Sequence, residues 1–269
     1  MVEYNELPEI DKWAIMKINE LVKTVTEGYD IYQFNKAYYG INSFLVHDMS
    51  TFYLDIIKDR LYVEGKTSKE RRASQTAMYI ILSKLVRILA PITAFTAEEI
   101  WKYMPKKENE NTFSIMLEDY PKYDEKLYNK ELDDKFKKII EIKELVSKKL
   151  EEAREEKLIG QTLEAKVTVI ANKENELYQI IENNKNLIED VLIVSELELK
   201  EDNSKEKEEN INYRYLGNFC NNCESKIESH ILSIKQDRGT GGTIISLCDK
   251  CLQELKNKIE ALEDENERD

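Results

Sequence analysis

Apolar residues recur at steps of three and four through most of the first 157 positions, and at steps of two only further on. The first period belongs to helices with one buried face, the second to half-buried strands. Ile10, Trp13, Ala14, Ile18, Leu21, Val22 and Val25 form one stripe and predict a helix that Gly28 closes. A second helix is expected from about Tyr32 to Val46, with Phe34, Tyr38, Ile41 and Leu45 inward. A third starts near Ser50, carries Phe52, Tyr53, Ile56, Ile57 and Leu61, and ends at Gly65. Ser68 reads as the N-cap of a fourth. That helix places Met78, Ile81, Leu82, Leu85, Val86 and Leu89 on one side, and Pro91 ends or kinks it. Thr96 is expected to cap a short helix, Ala97 to Tyr103, which Pro105 stops. Four or five such helices with short loops make an antiparallel bundle.

Residues 105–130 are polar, contain Pro105 and Pro121, and read as a connector. A long charged helix follows, about Leu132 to Lys157, with Phe136, Ile139, Ile140, Ile142, Leu145, Val146, Leu150 and Ala153, and Gly160 ends it. Leu163, Ala165, Val167 and Val169 then alternate with Glu164, Lys166 and Thr168, as in a strand. Glu174 to Asn183 looks helical, and Val191, Ile193, Leu197 and Leu199 alternate as a second strand. The expected fold is mainly α. A helical bundle (1–120) precedes a long helix with a small α/β junction (121–200), a charged linker (201–210) and a C-terminal zinc module with an acidic tail (211–269).

The chain has 269 residues, enough for two or three domains, and is 41% hydrophobic. It has no apolar run of about 18 residues and no signal-peptide pattern at its start, so the expectation is a cytoplasmic protein with no membrane partner. Net charge is −13, which speaks against nucleic acid. The distribution changes that picture. Residues 201–209 net −3 and the tail 252–269 nets −4, whereas residues 56–73 net +3. That basic stretch contains Lys58, Arg60, Lys66, Lys69, Arg71 and Arg72. Taken alone, the stretch reads as an ordinary solvated helix end.

All four cysteines fall in one array: Cys220 and Cys223, a spacer of 24 residues, then Cys248 and Cys251. Two Cys-x2-Cys knuckles supply four thiolates, the ligand set of one structural Zn²⁺. Two disulfides are the alternative, in a chain with no mark of secretion. A redox pair is disfavoured, because neither knuckle lies in a βαβ setting. His230 lies between the pairs, where a fifth donor is not needed.

Nothing else in the sequence supplies catalytic chemistry. There are two histidines and eight glycines, with no dinucleotide fingerprint, Walker loop or nucleophile elbow. His47 reads as a partner for a helix C-terminus. Lys66-Thr67-Ser68-Lys69 mimics a nucleotide-binding Lys-x-Ser-Lys loop, but it joins two bundle helices rather than following a sheet. Glu151, Glu152, Glu155 and Glu156 read as the solvated face of the long helix.

The run from Asp48 to Tyr62, Asp-Met-Ser-Thr-Phe-Tyr-Leu-Asp-Ile-Ile-Lys-Asp-Arg-Leu-Tyr, resembles a signature of isoleucyl-tRNA synthetases. Glu9 to Ala14, Arg71 to Thr76, Leu89 to Trp101 and Ile159 to Val167 are similar to other stretches of that class I family, in the same order. The cysteine array resembles its bacterial-type C-terminal zinc module. The resemblance implies a bundle of the anticodon-binding type and recognition of tRNA(Ile). It implies that ATP and Mg²⁺ act in a catalytic domain this chain lacks, together with the editing domain. The chain alone is therefore expected to be inactive, monomeric and without DNA as a partner. On that reading the basic corner between the third and fourth helices, Lys58, Arg60, Lys66, Lys69, Arg71 and Arg72, is the expected phosphate-contacting surface; removing Arg60, Arg71 and Arg72 together is expected to spare the fold.

The sequence departs from the family at Asn222 and Glu224, where the family has arginine and tryptophan, so contacts through those two side chains do not carry over. The valyl-, leucyl- and methionyl-tRNA synthetases share such a bundle and remain alternatives. A zinc-stapled helical adaptor that binds protein is the alternative from another class.

Overall fold

The computed structural model describes residues 1–107, 110, 113–155, 159–201 and 210–215. The chain divides into two compact units, Met1–Lys137 and Lys138–Asp269. In the first, helix α1 (Glu9–Asp30) buries the expected stripe from Ile10 to Val25. It does not stop at Gly28. A Cβ there would lie 3.1 Å from the Gln33 carbonyl oxygen and 3.2 Å from the Ala37 amide nitrogen, so this glycine allows the next helix to approach closely. The chain turns after Asp30, with Tyr32 in the left-handed region at φ 58°.

The second and third helices expected from the pattern are one continuous helical run. It consists of α2 (Phe34–Ser43), a π-helix over Phe44–Tyr53, and the short pieces α3 (Leu54–Ile56) and α4 (Lys58–Tyr62). The wider π turns re-phase the buried face. Ala37 and Ile41 pack inward, followed by Phe44, Met49, Phe52, Tyr53, Ile56 and Ile57. Phe34 and Tyr38, expected inside, are 60% and 61% exposed. The close approach at Gly28 explains this: small Ala37 takes the seam, and the large rings turn away from it. His47 accordingly sits within the π-helix rather than at a helix end.

Helix α5 (Lys69–Leu89) starts as expected, with the Ser68 hydroxyl accepting from the Arg71 amide at 3.1 Å. Helix α6 (Ala94–Tyr103) starts earlier than expected. Its N-cap is Thr93, and Thr96 lies within its first turn. Trp101 of α6 is buried with Val86, Ala90, Ala97, Met104 and Ile115. The connector contains two 3-10 turns, Ile115–Leu117 and Glu125–Leu127. Helix α7 (Lys130–Glu155) begins in this unit and stacks Phe136 on Trp13, centroids 5.3 Å apart, with Phe52 edge-on to Trp13 at 5.0 Å.

In the second unit, strand β1 (Ala165–Ala171) alternates as the pattern requires, with Ala165, Val167, Val169 and Ala171 buried. Glu164 accepts from the amides of Gly160 (2.7 Å) and Gln161 (3.2 Å), which fixes the entry to the strand. Helix α8 (Glu176–Asn183) is capped by Asn175. A further helix, α9 (Lys185–Leu192), occupies the start of the expected second strand. Ile188, Val191 and Leu192 form its buried face, and left-handed Ile193 (φ 54°) ends it. Strand β2 (Glu196–Glu201) pairs parallel to β1, with Val167 opposite Leu197. A third strand, β3 (Asn210–Tyr215), pairs antiparallel on the other side of β1. The sheet thus reaches into sequence read as linker and as the start of the C-terminal module. Cys220, Cys223, Cys248, Cys251 and His230 lie outside the described residues. No described helix is long and apolar enough to cross a membrane.

Candidate nucleic-acid interface

The first unit has two chemically different ends. Helix α1 leads to the Tyr29–Phe34 turn, the α2–α4 run returns, and α5 leads out again. The Tyr29 hydroxyl reaches the Ile88 carbonyl at 3.5 Å, which puts the α1–α2 turn beside the end of α5. At the other end, Arg60 lies 3.8 Å from Asp11, and Lys69 lies 3.6 Å from Glu6. Helices of about 21 residues separate the two ends by roughly 30 Å.

The structure brings the six cations of the basic stretch to that second end but gives them different work. Arg60 is mostly buried, directed at the Asp11 carboxylate. Arg71 donates to the Glu64 carbonyl at 2.8 Å and ties down the loop before α5. Lys58 is exposed and holds Asp55 at 2.7 Å; that hydrogen bond raises its pKa. Lys69 is exposed and only loosely paired with Glu6. Lys66 and Arg72 are exposed and carry no ion pair among the described residues. An exposed cation can meet phosphate without breaking an internal bond, so Lys66, Lys69 and Arg72 make the usable positive surface.

Behind it lies a buried polar cluster. Asp11 is fully buried, accepts from the Tyr53 hydroxyl at 2.6 Å and lies near the buried Ser74. Burial pushes the Asp11 carboxyl above the usual carboxylate range, against the opposing pull of Tyr53, Arg60 and Ser74. Asp11, Tyr53, Arg60 and Ser74 all come from the family-like runs. In this fold those runs supply structure as well as surface.

The opposite end is aromatic. Tyr32 and Phe34 meet edge to face at 6.3 Å, and Tyr29 tilts against Phe34 at 6.0 Å. Tyr38 and Tyr39 pair one turn further along α2. Tyr32, Phe34, Tyr38 and Tyr39 are exposed, as are Phe95 at the start of α6 and Phe113 in the connector. Exposed rings of this kind offer stacking surfaces to unpaired bases. Sequence reasoning missed them, because aromatic residues at helical spacing read as core. The available signal was the crowding of Tyr29, Tyr32, Phe34, Tyr38 and Tyr39 around one turn.

A clasp holds the connector over α5 and α6. Arg87 bonds Glu110 at 2.9 Å and Glu118 at 2.8 Å, and its guanidinium lies over the Trp101 ring at 4.8 Å. Tyr79 donates to Glu110 at 2.9 Å and the Lys107 amide donates at 2.7 Å. Burial works against the Glu110 carboxylate, but these three donors outweigh it and hold its carboxyl below the usual range. Burial and the Glu110 carboxylate push the Tyr79 phenol up to about 12. No group of described residues has the make-up of a metal site.

Residues 11–169 match the family described as the anticodon-binding domain of tRNA ligase. The chain is similar to the isoleucine–tRNA ligase of Caldicellulosiruptor saccharolyticus, 41% identical over 94% of this chain and 26% of the relative. It is 45% identical to that of a Thermoanaerobacter species over 74% of this chain and 21% of the relative. With that of Petrotoga mobilis it shares 38% over 97% of this chain and 28% of the relative. The chain spans about a quarter of the length of these curated relatives.

Proposed function

The chain belongs to the family of anticodon-binding domains of tRNA ligases, and on that premise we propose that it is the tRNA-recognition region of an isoleucine–tRNA ligase. The similarity to isoleucine–tRNA ligases along nearly the whole chain carries this reading. The two ends of the first unit support it: one offers rings to unpaired bases, the other offers Lys66, Lys69 and Arg72 to phosphates. The ligase as a whole would join isoleucine to tRNA(Ile) with ATP and Mg²⁺. This region would bind and orient the tRNA in the cytoplasm, as part of a monomer.

One structural Zn²⁺ belongs to the same proposal. Cys220, Cys223, Cys248 and Cys251 supply four soft thiolates with the knuckle spacing that tetrahedral zinc requires. The metal would cross-link the C-terminal stretch and take no part in chemistry.

Equilibrium binding of the purified chain to tRNA transcripts tests the reading. A tRNA(Ile) transcript should bind more tightly than the same transcript with a foreign anticodon. Equal binding to any RNA would make the chain a generic RNA binder. No binding would favour the protein-binding adaptor.

A further inference from the structure

The outer face of the α2–α4 run repeats every four residues. Tyr38 and Tyr39, Asn42 and Ser43, Val46 and His47, and then Ser50 are exposed, while Ala37, Ile41, Phe44 and Met49 are buried behind them. A step of four overshoots the α-helical turn of about 3.6 residues and falls short of the wider π turn. The passage from α2 into the π-helix therefore keeps these residues in one straight stripe. Segments of π-helix are rare and concentrate at functional sites.

None of the stripe residues is Asp, Glu, Lys or Arg, in a chain that is 35% charged with a net charge of −13. The nearest charges in sequence, Lys36 and Asp48, are both half-buried, and Lys36 is paired with Glu27 at 2.8 Å. Asn42, Ser43 and Ser50 make no side-chain hydrogen bond to another described residue. A protein this acidic must keep carboxylates off any surface that runs beside a polyanion. A docking face for protein would gather apolar groups at its centre. Here the rings stand at one end, and the middle is amide, hydroxyl and imidazole. The stripe also joins the two ends of the unit: it starts beside the aromatic turn and leads through α4 to the basic end. RNA that meets the rings with unpaired bases and meets Lys66, Lys69 and Arg72 with phosphates has to cross it.

We propose that this stripe lies against the sugar edge of the paired RNA next to the unpaired loop, with Asn42, Ser43, His47 and Ser50 bonding ribose 2′-hydroxyls. The inference rests on the tRNA-recognition reading and adds a second contact surface to it. A-form RNA displays its 2′-hydroxyls along a wide, shallow minor groove that a helix face can approach. The 2′-hydroxyl both donates and accepts, and amide and alcohol side chains can do either. Contacts to the sugar position the RNA and tell it from DNA; they do not read its sequence.

The test titrates the full chain with tRNA(Ile) transcripts carrying single 2′-deoxy nucleotides in the anticodon stem. Asn42→Ala and Ser50→Ala should each weaken binding of the unmodified transcript roughly 2- to 12-fold, the loss of one hydrogen bond. The slope of log affinity against log salt should stay at the wild-type value, since no phosphate contact is lost. At least one 2′-deoxy position should weaken binding to the wild type by a similar factor. It should cost nothing further in the variant that lacks its partner. Ser43→Glu sets a carboxylate beside the phosphates and should weaken binding most at low salt. Circular dichroism checks that each variant folds. Folded variants that bind like the wild type would overturn the stripe and leave the tRNA reading standing. So would 2′-deoxy penalties that are the same in wild type and variants. Unchanged RNA affinity together with lost self-association in Tyr39→Ala would reassign the stripe to a protein contact. Failure of the wild type to bind the transcript would overturn both readings.

Discussion

Tyr53 donates its hydroxyl to Asp11 Oδ1 at 2.6 Å, joining the end of the π-helix to the first turns of α1 inside the bundle. Both partners are fully buried. The bond ties the run that ends in the basic stretch to the start of the domain, and Arg60 closes the arrangement from the other side of the carboxylate. The basic end is therefore a surface built on a buried charge.

Tyr53→Phe removes the donor and leaves a buried carboxylate short of a partner. It should lower unfolding free energy by about 2 kcal/mol, the worth of a hydrogen bond to a charged group. Arg60→Ala should also destabilise, because it strips a cation from the same carboxylate. Urea denaturation at neutral pH measures both. The Arg60, Arg71 and Arg72 triple alanine variant then reports folding as well as RNA contact, contrary to the expectation from sequence that the fold is spared.

The connector clasp should respond to acid. The Glu110 carboxyl is held below its ordinary value, so its contribution is present at neutral pH and is lost as pH falls from about 4.3 through the depressed native value. Glu110→Gln should remove part of that acid dependence and lower stability at pH 7. Thermal unfolding of both proteins between pH 3 and pH 7 checks the sign. Parallel pH profiles would show that the clasp contributes nothing.

Tyr32 trades stability for surface. Its left-handed backbone costs a non-glycine residue about 1 kcal/mol, and its exposed ring recovers little of that by packing. Tyr32→Gly should raise the unfolding free energy by about 1 kcal/mol while weakening tRNA binding. A variant that gains stability with unchanged RNA affinity would remove Tyr32 from the interface.

Metal analysis of the purified chain should find one Zn²⁺ per molecule, and a strong chelator should remove it with loss of heat stability. Cys220→Ser should lower the zinc content. A zinc-free protein containing two disulfides would contradict the proposal.

Much of this architecture was legible in the residues. The stripe of α1, the Ser68 cap and the alternation of β1 each follow from one local rule, and the structure keeps all three. Where the reading failed, tertiary packing decided. Gly28 reads as a helix terminator from local propensity, but its close neighbours, Gln33 and Ala37, belong to the following turn and helix, which the sequence does not reveal. The π-helix carries no periodic signal of its own, so buried Phe44 and Met49 were not anticipated, whereas Phe52, Tyr53, Ile56 and Ile57 are buried as their spacing predicts. Val191 alternates like a strand residue yet lies on a helix closed by the unusual backbone of Ile193. The basic stretch was visible as charge, but not the inward turn of Arg60 and Arg71, which depends on Asp11 and the Glu64 carbonyl. The aromatic end was hidden because hydrophobicity alone does not separate a buried ring from an exposed one.

The salt dependence of tRNA binding tests the central claim most directly. The wild-type chain and a Lys66→Ala/Arg72→Ala variant should be titrated with a tRNA(Ile) transcript at several salt concentrations, with circular dichroism as the folding control. The wild type should bind, with log affinity falling linearly with log salt. The variant should stay folded, bind more weakly, and show a slope shallower by about 1.4–1.8, two phosphate contacts at 0.7–0.9 each. A folded variant with unchanged affinity and slope, or a wild type that does not bind tRNA at low salt, would contradict the account.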